Sequence, residues 1–334
     1  MDYLFILIGF VLLIAGANYL VDGASGLAKR FNVPNLIIGL TVVAFGTSAP
    51  ELVVNLVAAF DPSTTDIALT NIIGSNMINT YVILGCAAAV FPIISQKSSR
   101  RFDIPLSILA PVIVLLMTLS GVLSRIDGVI LLLFFAGFMY STFSRSVKSP
   151  DVQAEDYKPM KIWKSLLMIT GGLAALIGGA QLVVPSATSI AESFGISSAI
   201  IGLTVVALGT SLPELATSVV AAFKKNSDIA LGNVVGSNIF NVFMVLASSA
   251  IIRPLPAYDG MYADLIVTAT GGILIMVFMY TNKERSIRRW GGWPRSLAPS
   301  SPSRVRRARR PSGRRSRPQS RLRPCRLFAA RLYR

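Results

Sequence analysis

One phrase occurs twice in this chain. Residues 37–60 read IIGLTVVAFGTSAPELVVNLVAAF and residues 200–223 read IIGLTVVALGTSLPELATSVVAAF. Each is an apolar run long enough to cross a bilayer, and each carries one acid near its middle, Glu51 or Glu214. The similarity extends outward. At an offset of 163, Gly9, Gly16 and Phe31 match Gly172, Gly179 and Phe194. DIALTNIIGSNMIN (66–79) matches DIALGNVVGSNIFN (228–241) at an offset of 162, so a one-residue slip falls in the loop after Phe60. The duplicated unit therefore holds several elements, which constrains the fold more than any single residue does.

Those elements read as membrane spans. The chain is 53% hydrophobic and 14% charged, too apolar for an ordinary soluble domain. Nine apolar runs are expected to span, at about 3–21, 33–60, 66–93, 103–122, 127–143, 165–185, 196–223, 228–252 and 262–281. Basic residues orient them. With the N-terminus outside, the cytoplasmic loops hold 16 Lys and Arg, and the external loops hold only Arg125 and Arg253. Five spans then precede the loop at 144–164, and an odd number inverts the second half. The expected architecture is an all-α polytopic membrane protein in the cytoplasmic membrane. A first inverted repeat occupies 1–143, with its repeated core at 37–91. A second of four helices occupies 165–282, with its core at 200–250. Inverted repeats are a transporter signature, and the substrate site lies near the midplane where the halves meet.

The net charge of +16 does not mark a nucleic-acid binder, because of where it sits. Residues 283–334 hold 18 Lys and Arg against one acid, whereas residues 1–282 hold 14 against 15. No nucleic-acid partner is expected, and the bilayer is the expected surrounding. The two cysteines, Cys86 and Cys325, form no metal or redox motif. The chain has no histidine, which excludes the usual zinc and copper sites and His-based catalysis. No nucleophile–base arrangement supports an enzyme, and no cofactor is expected.

The repeated GTSxPE carries the chemistry. Pro50 and Pro213 have no N–H, so they are expected to orphan the carbonyls of Gly46 and Gly209 and to kink the helix there. Orphaned carbonyls at membrane depth need protein, water or an ion. Ser48 and Ser211 add hydroxyls, and Glu51 and Glu214 add carboxylates. A pseudo-two-fold axis would bring the glutamates face to face in a cage of hard oxygens. Such a cage suits Ca²⁺, which takes about 6–8 oxygens, better than Mg²⁺, which gives up water reluctantly. The second motif adds Ser75, Asn76 and Asn79, with Ser237, Asn238 and Asn241 in the other half. Ser75 and Asn79 share a helical face, as do Ser237 and Asn241. Asn76 and Asn238 fit either ligation or hydrogen bonding between packed helices. A single Pro-Glu could be a kink with a paired acid. Two intramembrane acids at repeated positions, each costing ~2.5–3.5 kcal/mol or more, argue for an ion site.

GTSAPE with GSNMIN, and GTSLPE with GSNIFN, resemble the two α-repeats of the calcium/cation antiporter superfamily, and most of all its prokaryotic sodium/calcium exchangers. The resemblance covers residues 1 to about 285. It implies ten helices in two inverted five-helix repeats, and alternating access with Na⁺ and Ca²⁺ taking turns at one site. The family's ligands fall on Glu51 and Glu214 as carboxylates. Thr47, Thr210, Ala44 and Ala207 match backbone-carbonyl positions. Ser48, Ser211, Ser75 and Ser237 match side-chain ligands, and Asn79 and Asn241 the remaining polar positions. Small residues at Gly9, Gly16, Gly172, Gly178 and Gly179 suggest a sliding helix pair. A single chain supplies both halves of the site, so a monomer suffices. Exchange of Ca²⁺ for H⁺ on the same scaffold, or a cation channel, are the alternatives.

This chain departs from the family in two places. Many relatives carry Asp where it has Asn241, which keeps a carbonyl oxygen but cannot ionise. Two glutamates neutralise one Ca²⁺ or two Na⁺, and a third Na⁺ would leave the site positive. The second departure is the tail. A tenth helix is expected to match RIDGVILLLFFAGFMY (125–140), but RRWGG (288–292) opens a segment with no acid and only arginine among its charges. A shifted reading frame in GC-rich DNA gives such a composition. A basic tail that binds anionic lipid or nucleic acid is the alternative.

Overall fold

The computed structural model describes residues 1–60, 65–148, 160–195, 207–281 and 286–287, all within one unit, Met1–Trp290. The expected tail lies outside the described residues, as does 196–206, the start of the seventh expected span. Nearly every described residue is helical. In chain order the helices are α1 (Asp2–Phe31), α2 (Asn35–Thr47), α3 (Ala49–Phe60), α4 (Ala68–Val90), α5 (Ser99–Ser120), α6 (Arg125–Lys148), α7 (Ile162–Ser193), α8 (Ala207–Thr210), α9 (Leu212–Phe223), α10 (Ser227–Ile252) and α11 (Met261–Thr281). Seven are long and apolar enough to cross a membrane, and the bent pair α2–α3 makes an eighth span. Many large apolar side chains point outward, among them Leu7, Val11, Ile14, Val57, Leu133 and Leu167. That surface suits lipid.

Two helices overrun their expected spans. α1 was expected to end near residue 21 and runs to Phe31; α7 was expected over 165–185 and runs over Ile162–Ser193. The polar residues in the overrun of α1 are accommodated: Asp22 pairs with Lys224 at 2.6 Å. α1 follows the usual rules at its ends. Asp2 opens it and Lys29 and Arg30 close it, each complementing the helix dipole. Asn32, left-handed at φ 52°, ends it. α6 likewise extends into the expected loop, as far as Lys148.

α1 and α7 lie antiparallel in backbone contact. A Cβ on Gly16 would stand 2.7 Å from the Gly172 carbonyl, and one on Gly172 would stand 2.7 Å from the Gly16 carbonyl. Gly9 and Gly179 repeat this reciprocal contact one heptad away, at 2.8 and 2.7 Å. Only glycine permits this approach. Gly178, expected at the same contact, faces open space.

The breaks in the repeated phrase fall at serine. Ser48 (φ −82°, ψ 7°) separates α2 from α3, which meet at 47°. Ser211 (φ −90°, ψ 5°) separates α8 from α9. Pro50 and Pro213 therefore do not kink a continuous helix, as expected from sequence. They sit in the first turn of a new one, where a missing N–H costs nothing. Further irregularity lies, among the described residues, in four π turns, at Gly39–Val43, Ile78–Ile83, Ser99–Asp103 and Asn241–Leu246. Such turns concentrate at functional sites, and two of these hold Asn79 and Asn241.

Four two-residue strands tie distant parts of the chain together. β1 (Ile93–Ile94), after α4, pairs with β4 (Ser286–Ile287), after α11. β2 (Val122–Leu123), after α5, pairs with β3 (Leu255–Pro256), after α10. Both ladders are antiparallel.

Candidate ion-binding site

Glu51 and Glu214 each stand in the first turn of a helix, where the free N–H groups favour a carboxylate. Both are completely buried. Among the described residues neither has a cationic partner; the salt bridges there are Lys224–Asp22 and Arg145–Asp103. A buried carboxylate left unpaired is costly and calls for a proton or a cation.

Hydroxyls and amides surround the acids. Ser48 Oγ donates to Glu214 Oε1 at 3.1 Å, across from the first phrase to the second. Ser75 Oγ donates to Glu51 Oε1 at 3.4 Å and lies 3.2 Å from Ser211 Oγ. Asn241 Nδ2 donates to Ser75 Oγ at 3.3 Å and to Asn76 Oδ1 at 3.0 Å. Seven of the expected residues are thus linked by hydrogen bonds or lie beside one: Glu51, Glu214, Ser48, Ser75, Ser211, Asn241 and Thr47, whose hydroxyl donates to Asn233 at 3.1 Å.

Several other donors and acceptors are buried with no hydrogen-bond partner among the described residues. Among the expected residues they are the second carboxylate oxygens of Glu51 and Glu214, both polar atoms of Asn79, Oγ1 of Thr210, Oγ of Ser237 and Oδ1 of Asn241, with Oδ1 of Asn238 beside them in the motif; Thr217, Ser99, Ser165 and Asp103 hold others elsewhere. Orphaned buried polar atoms are rare and need an explanation. Those in the two repeated motifs are mostly oxygens, the ligand type that a bare Ca²⁺ or Na⁺ takes. No three His, Cys, Asp or Glu side chains cluster among the described residues. The donor set is one of carboxylates, hydroxyls and amides. The Ala44 carbonyl accepts the Ser48 N–H at 3.0 Å and the Thr47 hydroxyl at 3.3 Å. Ala207 begins α8. Asn76 and Asn238, open between ligation and packing on sequence, make bonds between packed helices. Asn76 Nδ2 donates to the Asn238 carbonyl at 3.3 Å, and Asn238 Nδ2 to Thr80 Oγ1 at 2.9 Å.

Sequence reasoning missed a polar brace behind each glutamate. Asn233 Nδ2 donates to Ser218 Oγ at 2.9 Å and to the Glu214 carbonyl at 3.2 Å, holding α9 to α10. In the first half, Asn71 Nδ2 donates to Asn55 Oδ1 at 2.8 Å, and Asn55 Nδ2 to the Ala68 carbonyl at 3.0 Å, holding α3 to α4. The signal was present: Asn71 and Asn233 are matching letters of the repeated motif. Beside the site, a cavity of about 300 Å³ runs between α7 and both breaks, lined by Pro50, Pro213, Thr210, Gln181 and Val184.

Comparison with known proteins agrees with this picture. Residues 1–144 and 164–293 match the family described as "Sodium/calcium exchanger protein". The putative antiporter CaxA of Alkalimonas amylolytica is 38% identical, over 82% of this chain and 88% of its own. The sodium/calcium exchanger MaX1 of Methanosarcina acetivorans is 28% identical, over 87% and 94%. A solved structure of the sodium–calcium exchanger NCX_Mj, soaked with zero Na⁺ and Ca²⁺, superposes with a TM-score of 0.76 at 33% identity, over 86% of this chain and 93% of that one. The chain belongs to the sodium/calcium exchanger family. It is a multi-pass membrane antiporter of cations that include Ca²⁺, and not an enzyme.

Proposed function

We propose that this antiporter exchanges Na⁺ for Ca²⁺ across the cytoplasmic membrane, at a single site centred on Glu51 and Glu214. The observation that carries this is the pair of fully buried glutamates without cationic partners, each with one carboxylate oxygen left unbonded. Ser48, Ser75, Ser211, Ser237, Asn79 and Asn241 supply further side-chain oxygens, and Ala44, Thr47, Ala207 and Thr210 supply carbonyls. Two carboxylates balance one Ca²⁺ or two Na⁺, so the two ions compete for the same charge. Ca²⁺ and Na⁺ have similar radii, and flexible oxygen ligands accept both.

Access alternates between the two sides. Residues 1–143 and 165–282 form inverted halves, with the N-terminus outside. The two ladders support this reading, because each joins the strand after one half's third span to the strand after the other half's fourth. The α1–α7 pair is the moving part. It meets itself through glycines, and α7 forms one wall of the cavity beside both breaks. A shift of the pair along its axis would open or close that cavity. The external basic residues fit the orientation. Each is held by a helix-end or near-end carbonyl of a neighbour: Arg253 by Ala59 at 3.1 Å and Arg125 by Ile252 at 3.3 Å.

The test is Ca²⁺ uptake into proteoliposomes loaded with Na⁺, beside choline-loaded vesicles, a pH jump and a Glu51→Gln protein. Uptake that requires internal Na⁺ and vanishes in the variant supports the proposal. Uptake driven by the pH jump alone replaces Na⁺ with H⁺ as the coupling ion. Uptake that survives Glu51→Gln overturns the site.

A further inference from the structure

A second polar cluster lies far from the acids in the chain, at the end of α5 and α6. Arg145 Nη2 donates to Asp103 Oδ1 at 2.8 Å and to Thr142 Oγ1 at 3.2 Å, and Nε donates to the Ser141 carbonyl at 3.1 Å. Its two Nη1–H groups have no partner among the described residues. Phe102 lies under two guanidinium groups, Arg145 at 4.9 Å and Arg101 at 5.8 Å. Asp103 is 1% exposed, and its Oδ2 has no hydrogen-bond partner. This corner thus offers two cations with donors to spare and one buried carboxylate oxygen that lacks a donor.

An apolar groove of about 450 Å³ leads away from that corner. Its floor is one face of α6, from Arg145 through Gly137, Phe134 and Leu133 to Ile130. The fifteen helical steps from Ile130 to Arg145 make it about 22 Å long, longer than one leaflet of a ~30 Å hydrocarbon core. Gly137 leaves the floor open, with nothing within 4 Å of where a Cβ would stand. Leu133 is 66% exposed, so the groove faces the lipid side of the molecule.

We infer that this groove holds one glycerophospholipid with a primary-ammonium headgroup. The acyl chain lies along α6, the phosphate sits on Arg145 and Arg101, and the ammonium donates to Asp103 Oδ2. The charges pair in the right order. A phosphate alone would meet the unsatisfied carboxylate oxygen, whereas a headgroup of phosphate plus ammonium satisfies both ends. A choline headgroup carries the same charge but has no N–H to donate. No matching Arg–Asp pair occurs among the described residues of the second half.

The experiment is native mass spectrometry of the purified full-length protein with phosphatidylethanolamine, phosphatidylcholine and phosphatidylglycerol of identical chains. The expected result is retention of the ethanolamine lipid over the choline lipid by about tenfold, the size of one charge-assisted hydrogen bond. Asp103→Asn should abolish that preference, and Gly137→Leu, which fills the groove and spares the ion pair, should lower retention of every lipid. Equal retention of ethanolamine and choline lipids overturns the inference. So does preference for the glycerol lipid, which marks a purely anionic site. Displacement by soluble glycerophosphoethanolamine at matched concentration overturns the acyl-chain groove. If Asp103→Asn fails to fold, unchanged binding in Gly137→Leu alone is enough to overturn it.

Discussion

α4 and α10 hold matching motifs, yet their surroundings differ. The apolar window of α10 is 78% buried and that of α4 only 56%. α6 accounts for the difference. A Cβ on Gly128 of α6 would stand 2.8 Å from the Ala247 carbonyl, Phe134 stacks on Phe243 at 5.6 Å, and Phe135 meets Phe240 edge-on at 4.9 Å. The equivalent positions on α4 are less covered among the described residues, although Tyr81 packs on Gly271 and donates to the Val267 carbonyl at 2.7 Å. Tyr81, matching Phe243, is 41% exposed, Gly85, matching Ala247, has nothing near it, and Cys86 is exposed. The tenth helix expected to cover them by repetition would match positions after Arg288, which lie outside the described residues. Repeated sequence thus sets where a helix goes, and its flanking neighbours decide how far it is buried. The polar layers differ too. Ser75 touches Glu51, Ser211 and Asn241, while its counterpart Ser237 has no hydrogen-bond partner among the described residues.

Four measurements break or sharpen this comparison. The largest effect is expected where the halves are alike. Glu51→Gln and Glu214→Gln should each cut Ca²⁺ uptake by about a hundredfold or more, the ~3 kcal/mol of losing one partner in a buried charge cluster. A tenfold gap between the two would show that one half dominates. Acidification should act in the same direction, because protonation removes the same charges, so uptake measured across a pH series should fall as pH falls. Next come the covered and open faces. Ala247→Leu should destabilise the protein by about 2 kcal/mol through overpacking, and Gly85→Leu should leave the melting temperature nearly unchanged. Equal losses would mean that the α4 face is covered after all. The smallest effect separates the serines. Ser75→Ala should lower stability in ion-free buffer by about 1 kcal/mol, since it removes hydrogen bonds, while Ser237→Ala should cost almost nothing until Ca²⁺ is added.

Much of this was legible in the sequence, because the repeat is nearly literal. Its phrases placed Glu51 and Glu214 together, and the inward-facing Ser75 and Asn241 followed from helical spacing. Helix ends were less legible. Hydropathy stops before Asp22, but α1 continues past it, and Lys224 at the end of α9 donates to the Asn18 carbonyl and to Asp22. The breaks were placed at proline because proline lacks an N–H. The backbone turns a little earlier, at Ser48 and Ser211. The Asn71–Asn55 and Asn233–Ser218 braces were overlooked because their second members, Asn55 and Ser218, differ in type between the halves. The Arg145–Asp103 corner was not legible because its two members lie 42 positions apart and no second such pair occurs among the described residues.

The paired strands carry a consequence for how the molecule is made. No strand finds its partner within its own half. Leu123 waits for Leu255, and Ile94 waits until Ser286 has left the ribosome. Local helices can form early, but closures between such distant residues come late and slowly. The last described strand is therefore a clasp for a segment synthesised near the start. A nascent chain stopped before Ser286 would hold both glutamates and every serine of the repeated motifs and still be an unfastened molecule.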